Sequence, residues 1–215
     1  MRILVLLMVA ARPVVAAPIV IEEWFLGESG RVQEPGELQL ASGLGWKPAA
    51  IEVPLELELG VADHLELTAA LPVTWTRRGV AGRPSIGAGV GIERRGIAVA
   101  GAAAYTSGSD AGWSGRLTVE LAAGWCSAGA SIELERDAVA GVIGFAVTHP
   151  GRAELVELTV PIRGAGDDPG RIAAGVLWTV GTDLQLGGAV IVSRDGELDV
   201  LAHAVWELDV LGGSP

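Results

Sequence analysis

The sequence predicts an all-β protein: an antiparallel, up-and-down transmembrane β-barrel of about twelve strands, following an N-terminal signal peptide. Three observations predict it. Half of the 215 residues are hydrophobic and the mean hydropathy is +0.44, yet past the first sixteen or so residues no apolar run approaches the roughly 20 that a membrane helix needs. Apolar and polar residues alternate with a period of two from about residue 37 to 210. Connections rich in Gly, Ser, Asp and Arg gather at one end of the implied strands and tight turns at the other, the arrangement of outer-membrane barrels.

The chain opens with Arg2, an apolar stretch from Ile3 to Ala11, and the small residues Val14-Val15-Ala16 before Ala17, so residues 1–16 read as an export signal. Removing them takes Lys+Arg from 15 to 13 against 26 Asp+Glu, a net charge of −13. Such acidity argues against nucleic acid as a partner, because phosphate binding needs clustered Lys and Arg. Residues 17–36, with Trp24 and Phe25, form an extension that either plugs the lumen or lies in the periplasm. The barrel is expected over 37–210 and a short tail over 211–215.

The first strand covers about 37–46, with Leu38, Leu40, Leu44 and Trp46 on one face. The second, 51–60, is the clearest: Ile51, Val53, Leu55, Leu57 and Leu59 alternate with Glu52, Pro54, Glu56 and Glu58. Successive side chains point to opposite faces of a strand, so this segment has one apolar and one acidic face. The third, 65–75, follows after the tight connection Val61–His64. The others fall near 85–93, 97–105, 115–123, 125–135, 138–148, 154–162, 171–180, 184–193 and 197–209. The three longest connections, Thr76–Pro84, Thr106–Ser114 and Arg163–Gly170, share one end. Asp195-Gly196 reads as a two-residue hairpin turn with both central residues at positive φ.

Alternation alone does not say which face is outside, since a lipocalin-like soluble barrel alternates with its apolar face inward. The polar face here mixes Glu with Gly87, Gly89, Gly91, Ala100, Gly129, Gly144, Gly175 and Gly187 and carries almost no Lys, unlike a solvated exterior. The apolar face bears its aromatics near the strand ends: Trp46, Trp75 and Tyr105 at the loop end, Trp178 and Trp206 at the turn end, with Phe145 in the middle as the exception. Aromatic rings with a polar atom suit the lipid–water boundary. Apolar-out then follows. The lumen would be lined by Glu52, Glu56, Glu58, Glu66, Glu120, Glu133, Glu135 and Glu157, with Arg116 as the clearest basic partner.

Glu34-Pro-Gly-Glu-Leu-Gln-Leu, then Val53-Pro-Leu-Glu-Leu-Glu-Leu-Gly-Val-Ala-Asp-His-Leu-Glu-Leu and Ala70-Leu-Pro-Val, resemble the outer-membrane barrel family named for the MetA pathway of phenol degradation. Gly175-Val-Leu-Trp-Thr-Val-Gly-Thr-Asp-Leu-Gln-Leu is similar to that family's C-terminal hairpin. The match is specific over 34–75, moderate over 171–192 and architectural elsewhere. The resemblance implies an outer-membrane transporter for hydrophobic or aromatic compounds. The ending Leu208-Asp-Val-Leu-Gly-Gly-Ser-Pro215 departs from it by lacking a terminal aromatic.

Enzymatic signals are weak. His64 and His149 fall in turns and His203 on the lumen face, and no serine pairs with a histidine and an acid as nucleophilic catalysis requires. Gly87-Ala-Gly-Val-Gly91 has phosphate-loop glycines but lies on a strand with no helix after it. Asp167-Asp168 offers too few oxygens for calcium, and the lone Cys126 makes neither an internal disulfide nor a cysteine zinc site. No cofactor, metal or catalytic residue is expected. The reading is a passive outer-membrane channel with an acidic lumen, its partners the lipid bilayer and a small solute. The alternatives are a non-conducting surface-interaction barrel and a soluble periplasmic barrel holding an apolar ligand.

Overall fold

The computed structural model describes residues 31–47, 49–108, 111–164 and 170–210. The expected signal peptide, Trp24, Phe25, Asp167-Asp168 and the tail 211–215 lie outside the described residues.

Fifteen strand segments form a single antiparallel sheet that closes on itself. The last, β15 (Leu198–Asp209), pairs with the first, β1 (Glu37–Lys47), from Glu37↔Asp209 to Trp46↔Val200. Closure leaves the ring from the first strand to the last without a free edge, so its ladder groups are satisfied within the protein, the condition for crossing hydrocarbon with strands.

The fifteen segments make twelve barrel staves, because prolines interrupt three of them. β2 (Ala50–Val53) and β3 (Leu55–Ala62) are one stave broken at Pro54. β4 (Leu65–Ala70) and β5 (Val73–Thr76) are broken at Leu71-Pro72, and β6 (Gly79–Gly82) and β7 (Ser85–Arg94) at Arg83-Pro84. Proline has no N–H to give the ladder. Pairing nevertheless continues across each break: β1 meets β3 from Leu38↔Leu59 to Ser42↔Leu55, then β2 from Gly45↔Glu52 onward, and the Pro54 carbonyl accepts from Gly43 N at 3.2 Å. The other staves are β8 (Ile97–Thr106), β9 (Gly112–Ala123), β10 (Cys126–Leu134), β11 (Val139–His149), β12 (Arg152–Arg163), β13 (Arg171–Val180) and β14 (Leu184–Ser193).

Two expected loops are shorter than the sequence suggested. Thr76–Pro84 is a hairpin: β5 and β6 pair from Val73↔Gly82 to Thr76↔Gly79, rising above the level where β7 meets β8 at Ser85↔Thr106. Its exposed apolar and basic residues do not signal a strand, so the ladder there was not legible. Likewise β9 begins at Gly112, so Trp113 and Ser114 are strand. The Asp195-Gly196 turn also differs from expectation, since only Gly196 has positive φ, at 88°. Ser193 O accepts from Gly196 N at 2.9 Å and Ser193 N donates to Glu197 O at 3.0 Å, a type I turn closed by a left-handed glycine. Among the described residues, the turn with two consecutive positive φ values is Arg95-Gly96, at 57° and 78°.

The apolar face is outside. Leu40, Leu44, Ile86, Leu117, Ile143, Val156, Ile172 and Val190 are all exposed, while the residues between them are buried or partly so. This inverts the soluble, apolar-in barrel. An apolar band running round all the staves far exceeds the few hundred Å² that a water-soluble surface tolerates. Most unbroken staves run 10 to 12 residues, the length a tilted membrane strand requires.

Candidate functional site

Strand register brings the inward residues into lines around the lumen. One line runs Gly60↔Glu66↔Gly89↔Ala102↔Arg116↔Glu133. Another runs Ala98↔Glu120↔Gly129↔Gly144↔Glu157↔Ala173↔Ile191↔Asp199. Glu66, Glu120 and Glu157 each face a small residue on both neighbouring strands, and this accounts for Gly89, Gly129 and Gly144 on the polar face. A Cβ added at Gly89 would overlap the Glu66 carboxylate. The small residue makes room for the acid.

Glu58, Glu66, Glu120 and Glu157 are buried. Glu56 and Glu133 are partly exposed, and Glu133 stands opposite Arg116 on the neighbouring strand. Glu52 sits at the loop-end rim, its Oε2 2.8 Å from Lys47 Nζ. Glu135 departs from the expected lining: it is exposed in the Glu135–Ala138 turn beyond β10, where the chain has already left the wall. The interior is also less uniformly polar than expected. On β11 to β14, Ala146, Ala153, Leu155, Ala173, Leu177, Ala189 and Ile191 form a buried apolar patch, with Leu201 of β15 packed against it. Buried carboxylates and this apolar patch share the inner face, with Leu155 and Glu157 two residues apart on β12.

Four expected interface aromatics, Trp46, Trp75, Tyr105 and Trp206, are exposed on the outer face, and Trp178 is half-buried there. The pattern missed Trp113 and Trp125, also outward and exposed. Trp113 completes the loop-end set beside Tyr105; Trp125 lies at the turn end, with its ring 6.3 Å from His149. His149 Nε2 is 3.0 Å from Glu154 Oε2, a pair between the end of β11 and the start of β12. His64 occupies a turn with φ of 68°, and His203 lies on β15 opposite Gly43 and Gly187. Among the described residues no group of three or more His, Cys, Asp or Glu is placed to hold a metal ion.

The extension expected over 17–36, either plugging the lumen or lying in the periplasm, is described from residue 31 and lies at the turn end. Glu34-Pro35-Gly36-Glu37 forms a reverse turn, with Gly36 at φ of 90° and Glu37 N donating to Glu34 O at 2.9 Å. The turn sends residues 31–34 back along the inner wall. There the Gln33 side-chain amide donates to Gln39 Oε1 at 2.6 Å and to Glu58 Oε2 at 3.2 Å, and its backbone N–H donates to Glu66 Oε2 at 3.2 Å. Arg31 pairs with Glu93 at 3.1 Å. The Pro-Gly dipeptide was the available signal.

The fold is porin-like. The chain is similar to the solved structure "KdgM porin", at a TM-score of 0.63 and 12% identity over 78% of this chain and 98% of that one. It is similar to "KdgM porin in complex with disordered oligogalacturonate" at 0.67 and 10% identity, over 78% and 98% of the two chains. It is similar to the NanC porin at 0.62 and 10% identity, over 80% and 100%. At these identities the likeness shows the fold alone. No protein-family model matches the chain. No curated protein matches it.

Proposed function

We propose that the chain is a passive outer-membrane channel or transporter whose interior favours cations over anions. The observation that carries this reading is the set of inward carboxylates Glu58, Glu66, Glu120 and Glu157, each less than a tenth exposed, within a wall that is apolar outside. Low-dielectric walls focus the field of such charges along the lumen, raising the local concentration of cations and excluding anions. The oligogalacturonate named with one similar porin is a polyanion. An acidic wall opposes such a solute, so barrels of one fold are distinguished by their linings.

The apolar patch from Ala146 to Ile191 and the resemblance of residues 34–75 to the phenol-degradation family support a finer reading. On that reading the solutes are small hydrophobic or aromatic compounds, positively charged ones foremost. A second reading, the non-conducting surface barrel, is favoured by how little of the interior is accessible: Gln39, Leu155, Glu157 and Leu177 are at most 1% exposed. Its contact surface would be the β5–β6 hairpin and the neighbouring loops.

Reconstitution in a planar bilayer under a potassium chloride gradient tests these readings. A reversal potential of the sign set by cation flow is expected. Anion selectivity would overturn the acidic-lumen reading, and silence at every voltage would establish the second. Retention of the protein in the envelope until detergent is added is expected of both.

A further inference from the structure

We propose that residues Arg31 to Gly36 are an internal latch that narrows the turn-end mouth of the lumen, and that Gln33 sets the bore there. This rests on the channel reading. The segment is held by three kinds of contact, to β1, β3, β4 and β7 and to Val210 just past β15. Gln33 spends both amide hydrogens and its backbone N–H on Gln39, Glu58 and Glu66. Its main chain is fixed by Gly36 N donating to Gly60 O at 2.9 Å, and by Val210 N donating to Gly36 O at 3.0 Å. Its side chains fit places where the wall has none: a Cβ at Gly60 would overlap the Glu34 carbonyl, and one at Gly91 would overlap Val32 Cγ2.

These contacts form one unit. Glu58 and Gln39 face each other across the β1–β3 ladder, and Glu66 lies opposite Gly60 on the β3–β4 ladder. Gln33 therefore bridges two acids of the wall and converts carboxylate oxygens facing the lumen into filled acceptors. A solute passing this level meets an amide held between acids, in place of an open ring of charge. Gln33 is accordingly a selectivity residue, acting on both width and charge. Removing its side chain reopens the path and restores the field of Glu58.

The latch is tested by thiol labelling and the bore by conductance. In a Cys126→Ala background, Val32→Cys keeps Gln33 intact and places a thiol on the segment. We expect it to react with a membrane-impermeant maleimide at least tenfold more slowly than Arg95→Cys in the exposed turn. Adding Gln33→Ala or Gly60→Val should remove most of that protection. Equal rates for Val32→Cys and Arg95→Cys would overturn the latch. For the bore, Gln33→Ala and Gly60→Val are each expected to raise single-channel conductance twofold or more, and Gln33→Ala to strengthen cation selectivity. Unchanged conductance in both, with Val32→Cys protected, would overturn the role of Gln33. Heat-modifiable gel mobility shows which variants have folded. If every folded variant is silent, the channel reading fails, and the labelling alone judges the latch.

Discussion

Tyr105 and Trp113 stand directly opposite each other on β8 and β9, their ring centroids 5.3 Å apart and their planes tilted by 60°. Both rings face outward at the loop end, where each can keep its apolar body in lipid and its polar atom in water. A tilted aromatic pair is worth about 0.5–1.5 kcal/mol beyond its burial. Tyr105→Ala and Trp113→Ala should therefore couple by about that amount in a double-mutant cycle of unfolding free energies measured in lipid vesicles. Brominated lipids should quench Trp113 most strongly when the bromine is near the headgroup. Additivity of the two substitutions would remove the pair from the stabilising girdle.

The outer face is tested by charge. Phe145 lies near the middle of β11 with its ring outward, the position on that strand farthest from both ends of the barrel. Val80 is equally outward and exposed, but on the β5–β6 hairpin above the rim. Arginine on the lipid face costs about 2–4 kcal/mol at the midplane and about 0–1 kcal/mol near the interface. Phe145→Arg should lower the unfolding free energy in vesicles by the first amount and Val80→Arg by the second. Equal small effects would mean that Phe145 does not face hydrocarbon.

The two tests draw on features of unequal legibility. The outward position of Phe145 follows from two-residue alternation along β11, which the sequence displays without help from any partner strand. Trp113 does not follow in that way, because Gly112 and Ser114 beside it read as loop and only the ladder with Tyr105 holds them in register. Pro54 and Pro72 were legible as residues but not as breaks, since alternation passes straight through them. The apolar patch of Leu155, Leu177 and Ile191 was hidden for a different reason. Alternation assigns a face, not a neighbour, and the patch arises from register across four staves. Gln33 precedes the first strand and belongs to no alternating run, so only Pro35-Gly36 marks the point where the chain turns back.

Charge selectivity should respond to single carboxylates. Glu120 and Glu157 are buried on the same register line, three strands apart. At roughly 6 Å and an effective dielectric between about 20 and 80, one unit charge changes the energy of a passing ion by about 0.7–2.8 kcal/mol. Glu120→Gln or Glu157→Gln should therefore lower the cation-to-anion permeability ratio by about threefold or more, read from reversal potentials. Glu135→Gln, in an exposed turn, should leave it nearly unchanged. If Glu135 matters as much as Glu157, the selectivity lies in the mouth and not in the wall.

The pairing of acid with glycine is testable at Glu66 and Gly89, which face each other across the β4–β7 ladder. A methyl group at Gly89 would overlap the Glu66 carboxylate, the flexible end of the side chain, so the carboxylate must move. Moving it strains the hydrogen bond that Glu66 accepts from Gln33 N. Inserting a methyl into a packed interior costs about 1–3 kcal/mol, and Gly89→Ala should fall in this range. In Glu66→Ala the carboxylate is absent and the space is open. Adding Gly89→Ala to that background should cost little, so the double variant should be more stable than the sum of the single effects predicts. The comparison is made by denaturant unfolding in vesicles. A Gly89→Ala penalty that persists unchanged without Glu66 would assign the glycine to its own backbone, and the small-residue stripe would no longer be explained by the acids it faces.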